Sequence, residues 1–239
     1  MQVNEPGSIW ALVPVKSLDG AKQRLEPCLG NERGEFSFAM FNDVLSALIR
    51  STEISNIAVV TADHKVARLV KKHGLLVVPE TGLQGMNAAI QQGVERIRVL
   101  GGSRIAIIHA DIPLATGEEI DRIYRIFDQR QSQTGENLVA VSPAADHLGT
   151  NFLCLDAGLP ISFRYGPDSY RKHLEAVGEL SATVMTIDSG TISIDIDESV
   201  DIDNFINYCR LNPEYQQTRT WQYLEQDVYM VKYMQRMQQ

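Results

Sequence analysis

A short apolar run that ends at an acidic residue most narrowly limits what this chain can fold into. Residues Ile105 to His109 are almost wholly apolar, and Asp111 and Pro113 follow at once. Such a run is typical of a strand buried on both faces of a parallel sheet, and Pro113 prevents its continuation. We therefore expect Asp111 just past the C-terminal end of a central strand, where open α/β sheets bind ligands. The alternative is that it merely caps the next helix.

Strand and helix signals alternate on both sides of this run. Apolar runs predict strands at 9–15, 56–61, 75–78, 104–110 and 138–141. Between them, apolar residues at helical spacing predict helices at 32–51, 66–73 and 117–130, and a loop turns into a helix near Gly85. This order predicts an α/β fold, Rossmann-like and single-domain, with a mostly parallel central sheet and helices on both faces.

The composition narrows the class of protein. Of the 239 residues, 44% are apolar, which is ample for a sizeable core, and the net charge of −8 argues against a nucleic-acid binder. The three cysteines are far apart and show no CxxC spacing, as in a reducing cytoplasm. The N-terminus has no signal-peptide pattern, and no apolar run approaches the ~18 residues that span a bilayer. We expect a cytoplasmic protein that binds neither nucleic acid nor membrane.

A basic loop follows the first predicted strand. It contains Lys16, Lys22 and Arg24 but only one glycine, Gly20, so it lacks the glycine cradle of dinucleotide-binding folds. Arginine can clamp a phosphate bidentately and lysine acts as a point charge. Its place directly after a strand favours phosphate binding over a merely solvated loop.

A second loop becomes a helix at Gly85 and Asn87. A glycine at this point allows a ligand to approach the backbone, and Asn87 can offer a donor and an acceptor to a base or ribose. Asparagine is also a good helix cap, so this motif alone is weak.

An acidic pair lies in the second half of the chain. Strands are predicted at 152–155 and at 192–196. Asp195 and Asp197 are two residues apart, so on the second strand they point to the same face. Neighbouring carboxylates repel unless a positive charge lies between them, and hard oxygen ligands suit Mg²⁺. Together with Asp111 at the end of the predicted central strand, this pair of aspartates favours a metal site. The alternative is an acidic turn without a metal ion.

Two hydroxyls and a glycine complete the candidate site. Thr150 and Ser169 can donate hydroxyls, Ser169 lies near a predicted helix start that favours anions, and Gly166 allows a tight turn. No neighbour in the sequence activates His147 or His173, and we interpret both as structural.

The C-terminal segment is predicted to be separate from the main domain. We assign 1–212 to the domain and 213–239 to a helical tail with an apolar stripe of Trp221, Leu224, Val228 and Val231. The stripe either covers the body or packs against another subunit, and we expect a homodimer through the tail.

Six motifs together resemble the CofC/FbiD family of guanylyltransferases. They are VPVKSLDGAKQRL at 13–25, GMNAAI at 85–90, ADIPL at 110–114, GTN at 149–151, YGPDS at 165–169 and DID at 195–197. The likeness runs from about Trp10 to Leu211 and leaves the tail outside the pattern. It implies a nucleotidyltransferase fold like that of MobA.

The resemblance also implies roles for residues. The triphosphate would be held by Lys16, Lys22 and Arg24, which with Asp111 form the catalytic set. The base and ribose would be lined by Thr61, Asp63, Gly85 and Asn87. A metal ion, Mg²⁺, would be bound by Asp111, Asp195 and Asp197. The acid substrate would be bound by Thr150, Gly166 and Ser169.

The implied reaction activates a phosphorylated three-carbon acid for synthesis of a deazaflavin coenzyme. GMP would pass from GTP to 2-phospholactate, phosphoenolpyruvate or 3-phosphoglycerate, with release of pyrophosphate. One alternative is a cytidylyl- or uridylyltransferase that acts on a phosphosugar or phosphonate. Another is a nucleotide sensor or scaffold without catalysis.

Overall fold

The computed structural model describes residues 8–80, 85–226, 229 and 233 of the chain. Within these residues, seven strands form one sheet: β1 (Ile9–Val15), β2 (Asn56–Thr61), β3 (Leu76–Pro79), β4 (Arg104–Ile108), β5 (Leu138–Pro143), β6 (Thr150–Asp156) and β7 (Thr183–Thr186). The α-helices are α1 (Glu26–Leu29), α2 (Arg33–Arg50), α3 (His64–Lys72), α4 (Met86–Val99), α5 (Gly117–Thr134), α6 (Ser169–Gly178), α7 (Ser199–Leu211) and α8 (Arg219–Gln226). Short 3-10 helices lie at Leu18–Gly20, Gln23–Leu25, Gly30–Glu32 and Pro213–Gln217.

The strand order is β3-β2-β1-β4-β6-β5-β7, and only β6 runs antiparallel to its neighbours. The predicted mostly parallel sheet is therefore confirmed. Because β6 runs backwards, its first residue, Thr150, lies at the same edge as the C-terminal ends of β1 and β4. This reversal brings the second half of the chain to the edge where Asp111 lies.

Alternate side chains of the central strands face two separate apolar cores. Ala11 and Val13 of β1 pack in the core that contains residues of α2, α3 and α5. Trp10 and Leu12 pack in the core that contains residues of α4 and α6. Every residue of β1 is buried, as expected for a strand with helices on both faces.

One strand prediction for the second half is wrong, and one strand was not predicted. Residues 192–196 do not form a strand: the Ile196 N–H donates to the Asp111 carbonyl (3.0 Å), and the Ala145 N–H donates to the Ser193 carbonyl (2.9 Å). These bonds hold the segment against neighbouring loops rather than in a ladder. The seventh strand is instead β7, which pairs parallel to β5 and was not predicted.

The described part of the tail packs against its own chain. It forms the 3-10 helix Pro213–Gln217 and then α8, rather than one helix from residue 214. Trp221 and Leu224 are buried together with Phe36 and Met40 of α2. Val228 and Val231 of the predicted stripe lie outside the described residues. The chain itself thus buries Trp221 and Leu224, and the homodimer stays a prediction.

The carboxylate of Asp43 on α2 fixes the start of α8. It accepts hydrogen bonds from the N–H groups of Arg219 (2.8 Å) and Thr220 (2.9 Å), and from the Thr220 hydroxyl (2.6 Å). The first N–H groups of a helix have no partner within that helix, so a side chain from elsewhere stabilises them.

The helices in the described ranges do not include one with both the length and the apolar character to cross a membrane.

The burial of Leu224 predicts a large loss of stability when that side chain is shortened. Leu224→Ala should lower the free energy of unfolding by about 2–5 kcal/mol, because it leaves a cavity in a packed core. Leu211 is 83% exposed, and the control Leu211→Ala should stay within about 0.5 kcal/mol of the wild type. Urea denaturation measures both, and equal effects would contradict the packing of α8 on the body.

Candidate active site

A cleft of about 890 Å³ opens at the C-terminal edge of β1 and β4. Nine of the predicted site residues line it: Lys16, Lys22, Arg24, Asp111, Thr150, Gly166, Ser169, Asp195 and Asp197. They come from positions as far apart in sequence as 16 and 197, and the sheet topology brings them together. The cleft therefore places cations, carboxylates and hydroxyls around one space.

A second cavity of about 480 Å³ adjoins the cleft. Lys16 and Met86 line both spaces, which makes them the border between the two. Gly85, Ala62 and Glu80 are among the residues that line the second cavity. Gly85 has a φ of 93°, a conformation that side chains with a Cβ rarely adopt.

The centre of the cleft is an ion-pair bridge. The Lys22 Nζ lies 2.5 Å from Asp111 Oδ2 and 2.5 Å from Asp197 Oδ1. Burial alone would lower the pKa of Lys22, but the two carboxylates raise it by more, so the ammonium stays charged. In the same way burial would raise the pKa of Asp111, and the Lys22 charge holds it below its usual value.

The third predicted carboxylate lies beside this bridge. Asp195 Oδ1 accepts a hydrogen bond from the side chain of Asn151 (3.1 Å). Burial, followed by the negative charge of Asp111, raises the pKa of Asp195 to about 6. Negative charge is thus concentrated at this corner.

The three carboxylates do not converge on one point. Within the described ranges, no group of three His, Cys, Asp or Glu side chains is arranged to hold a metal ion. Between Asp111 and Asp197 the ammonium of Lys22 occupies the space instead. Asp111 Oδ1, which is buried, has no hydrogen-bond partner in the described part of the chain.

The remaining cations of the basic loop are more exposed. Arg24 Nη1 lies 3.1 Å from Glu198 Oε1, and both side chains are largely in solvent. Lys16 forms no ion pair in the part of the chain that the structure describes, and it lines both cavities. Two cations of the loop are therefore accessible to an anionic ligand.

Two residues predicted to contact a nucleotide have structural partners. The Asp63 carboxylate caps α3 by accepting from the N–H groups of Lys65 (2.8 Å) and Val66 (3.0 Å), and it also accepts from the Leu18 N–H (3.0 Å). Thr61 is buried, and its hydroxyl accepts from the Asp63 N–H. Neither residue is among those that line the two described cavities.

Asn87 also uses its side chain within the protein. Its Nδ2 donates to the Tyr165 carbonyl (3.0 Å), and its Oδ1 accepts from the Tyr165 N–H (2.7 Å). The donor and acceptor expected to contact a base thus hold the backbone next to Gly166. Gly166, with a φ of 124°, lines the cleft at this turn.

Four residues at the site were not predicted from the sequence. Asn151 supports Asp195, and Glu80 lines the second cavity. His109 lines the cleft beside Asp111, and His173 contacts Thr150. Asn151 belongs to the GTN motif and His109 ends the apolar run before Asp111, but only the strand directions bring these side chains to the cleft.

Solved structures share this fold at low sequence identity. The chain matches a protein of Desulfovibrio desulfuricans, described as a nucleotide-diphospho-sugar transferase, with a TM-score of 0.74, 18% identity and coverage of 95% of this chain and 98% of that one. It matches the 4-diphosphocytidyl-2C-methyl-D-erythritol synthase of Anaerococcus prevotii with a TM-score of 0.58, 12% identity and coverage of 86% and 97%. The fold is that of the nucleotidyltransferases.

The sequence comparisons define the family within this class. The family model described as guanylyl transferase CofC like matches residues 9–235. The phosphoenolpyruvate guanylyltransferase of Roseiflexus castenholzii is 32% identical over 81% of this chain and 86% of its own length. The 2-phospho-L-lactate guanylyltransferase of Methanothermobacter thermautotrophicus is 28% identical over 82% and 83%. The chain belongs to this family, and the match includes most of the tail, which the motif comparison had left outside.

The cap geometry of Asp63 predicts a loss of stability when its carboxylate is removed. Asp63→Ala should lower the free energy of unfolding by about 1–2 kcal/mol, because α3 loses its N-cap. The control is Asp19→Ala, which removes an exposed carboxylate from the loop after β1 and should have little effect. Burial would raise the pKa of Asp63, but the N–H groups of Leu18, Val66 and Lys65 lower it by more.

The stabilising effect of Asp63 should therefore be present at neutral pH and disappear as the pH falls below the usual range of aspartate. Thermal unfolding of the wild type and both variants between pH 7 and pH 3 measures how the loss of stability in Asp63→Ala changes with pH. If Asp63→Ala has the stability of the wild type at pH 7, the structural role is wrong and ligand contact returns as the explanation.

Proposed function

We propose that this chain is a GTP-dependent guanylyltransferase. It transfers GMP from GTP to the phosphate of a small phosphorylated three-carbon acid and releases pyrophosphate. The observation that carries the proposal is the cleft itself, where Lys16, Lys22 and Arg24 face Asp111 next to a second cavity. The names of the relatives, which act on phosphoenolpyruvate and 2-phospho-L-lactate, supply the substrate class.

The two cavities divide the substrates between them. The guanine base occupies the second cavity beside Gly85, and Lys16 at the border holds the triphosphate. The acid lies on the far wall of the cleft, where Thr150, Gly166 and Ser169 offer hydroxyls and a turn. The acceptor phosphate thereby lies near the α-phosphate, and alignment of the reactants is a large part of catalysis.

The reaction needs no general base. A phosphate oxygen of the acid attacks the α-phosphorus of GTP in line. The bond from that phosphorus to the bridging oxygen of pyrophosphate breaks, and pyrophosphate leaves. The attacking phosphate is already ionised at neutral pH, so the protein contributes positioning and charge, which the loop cations provide.

Mg²⁺ is the metal ion that fits this site. Three carboxylates and one ammonium leave an excess of negative charge, and Asp111 Oδ1 is buried without a partner in the described chain. Asp111, Asp195 and Asp197 do not converge on one point, so one or two of them would ligate the ion directly. Mg²⁺ is usually bound by one or two carboxylates with waters and substrate phosphates, so a cage of three protein ligands is not required. When bound, it would neutralise charge on the reacting phosphates.

Glu80 is proposed to select guanine. It is half-buried and lines the second cavity, and the structure describes no side-chain partner for its carboxylate. A carboxylate can accept two hydrogen bonds, and the guanine edge offers two adjacent donors, the ring N–H and the exocyclic amino group. Cytosine and uracil do not present this pair.

The test of the proposed function is a panel of nucleotides and acids assayed for pyrophosphate release. GTP should support release only together with 2-phospholactate, phosphoenolpyruvate or 3-phosphoglycerate, and the assay ranks the three acids. Release from CTP or UTP with a phosphosugar would favour the alternative transferase. Nucleotide binding without release under any pairing would indicate a sensor and contradict the proposal.

The position of Asp111 at the centre of the cleft predicts that removing its charge slows the reaction. Asp111→Asn keeps the shape of the side chain but removes its charge, and kcat should fall by about 100-fold or more, as for loss of one preorganised electrostatic group. The matched control is Asp188→Asn, an exposed carboxylate that does not line the cleft within the described residues. Circular dichroism and unfolding show that both variants fold. An unchanged kcat for Asp111→Asn would place the reaction elsewhere.

The proposed role of Glu80 in selecting guanine predicts that its substitution weakens the preference for GTP. Glu80→Gln should lower kcat/KM for GTP by about 10- to 100-fold, the ratio for one hydrogen bond to a charged group. ITP lacks the exocyclic amino group, so its kcat/KM should fall less and the preference for GTP over ITP should shrink. Glu118→Gln, an exposed substitution at the start of α5, is the control. A GTP-to-ITP ratio that does not change rules out this role for Glu80.

A further inference from the structure

His173 is buried behind the wall of the cleft where the acid is proposed to bind. It lies on α6, its side chain has no exposure to solvent, and both ring nitrogens have partners. Its Nδ1 lies 3.0 Å from the Thr150 hydroxyl, and its Nε2 lies 3.1 Å from the backbone nitrogen of Arg164. The imidazole therefore connects the Thr150 hydroxyl to the irregular segment that leads to Gly166.

These two contacts define the tautomer of the ring. The Arg164 N–H can only donate, so Nε2 must accept with its lone pair. Burial lowers the pKa of His173 to about 4, with the charges of His109 and Arg164 acting in the same direction, so the ring is neutral at pH 7. Its one proton is therefore on Nδ1, where it donates to the oxygen of Thr150.

The direction of this bond decides what Thr150 can do. The Thr150 oxygen accepts from His173, so the proton of its own hydroxyl remains for another acceptor. The described residues provide no other partner for this hydroxyl, and Thr150 lines the cleft. A hydroxyl held in this way is a directed donor, suited to an anionic oxygen such as a carboxylate or phosphate.

We propose that His173 is a positioning residue, which orients the Thr150 hydroxyl as a donor to the anionic acid substrate. The inference rests on the proposed function, because it takes the acid to be the ligand of Thr150. By accepting from the Arg164 N–H, His173 also fixes the start of the turn that Asn87 holds at Tyr165. His173 and Asn87 thus hold the part of the cleft where the acid is proposed to bind, through the backbone of Arg164 and Tyr165.

Three substitutions at His173 separate the two contacts. Asparagine places an amide donor near the position of Nδ1, and glutamine places an amide oxygen near that of Nε2. His173→Asn should therefore keep the bond to Thr150, His173→Gln should keep the bond to Arg164, and His173→Phe removes both. Only loss of the Thr150 bond should affect the acid.

The measurement is KM for the acid and KM for GTP in each variant. We expect His173→Phe and His173→Gln to raise KM for the acid by about 10-fold or more, the ratio for a lost hydrogen bond to a charged group. KM for GTP should change by less than about twofold, and His173→Asn should restore most of the loss. A merely structural role would instead raise both KM values, or make the asparagine and glutamine variants equal, and either result overturns the proposal.

A double substitution tests whether His173 acts through Thr150. Thr150→Val removes the hydroxyl, so adding His173→Gln to it should raise KM for the acid no further. Independent, multiplying effects would show that His173 acts by another route. This comparison also serves if His173→Phe does not fold, since it uses only the milder variant.

The tautomer can be measured without any substrate. The ¹⁵N chemical shifts of the His173 ring in the wild type should show a protonated Nδ1 and an unprotonated Nε2 at pH 7. A protonated Nε2 would overturn the inference even if the enzyme acts on the acid. If instead the wild type shows the expected tautomer but uses none of the three acids, the proposed function has failed and not the geometry.

Discussion

The bridge of Lys22 between Asp111 and Asp197 is the interaction on which the arrangement of the site depends. It joins three segments that are remote in sequence: the loop after β1, the loop after β4 and the irregular segment before α7. Each of these carboxylates is at least partly withdrawn from water, and without a cation their repulsion would separate the segments. The proposed Mg²⁺ would compete with this ammonium for the same carboxylates.

The C-terminal tail shares an apolar cluster with residues of the segments that form the site. Trp221 and Leu224 belong to an apolar cluster that also contains Leu25, Leu114 and Ile196. Leu25 follows Arg24 in the sequence, and Leu114 is three residues after Asp111. Ile196 lies between Asp195 and Asp197. The tail therefore belongs to the same apolar cluster as one residue from each of the three site-forming segments. That position agrees with a family match that continues to residue 235.

The first half of the fold was predictable because its strands are buried on both faces. An uninterrupted apolar run such as Ile9–Val15 has few other structures open to it, and its bounds agree with the prediction. The alternation of isoleucine with serine or aspartate at 192–197 has the period of a strand, yet the segment is held by bonds to the loops of Asp111 and Ala145. Thr183–Thr186 was missed because it is a short edge strand in which no residue is fully buried.

The composition of the cleft could be predicted, but the partners of individual side chains could not. Lys22 and Asp111 belong to recognisable motifs, whereas their contact depends on tertiary structure. Asp63 precedes α3 in the usual position of a helix cap, and that signal was available in the sequence. The bonds of Asn87 to Tyr165 and of His173 to Thr150 join residues 78 and 23 positions apart, and no local pattern encodes them.

The bonds of the product show directly which atoms react. After incubation with GTP and an acid whose phosphate carries ¹⁸O, ³¹P NMR shows which atoms have been joined. Attack by the acid phosphate on the α-phosphorus predicts two coupled phosphorus signals, from a diphosphate that links guanosine to the acid, with ¹⁸O from the acid phosphate in the bridge. A product in which GMP is joined to the carboxylate, or a label that leaves with pyrophosphate, would contradict it.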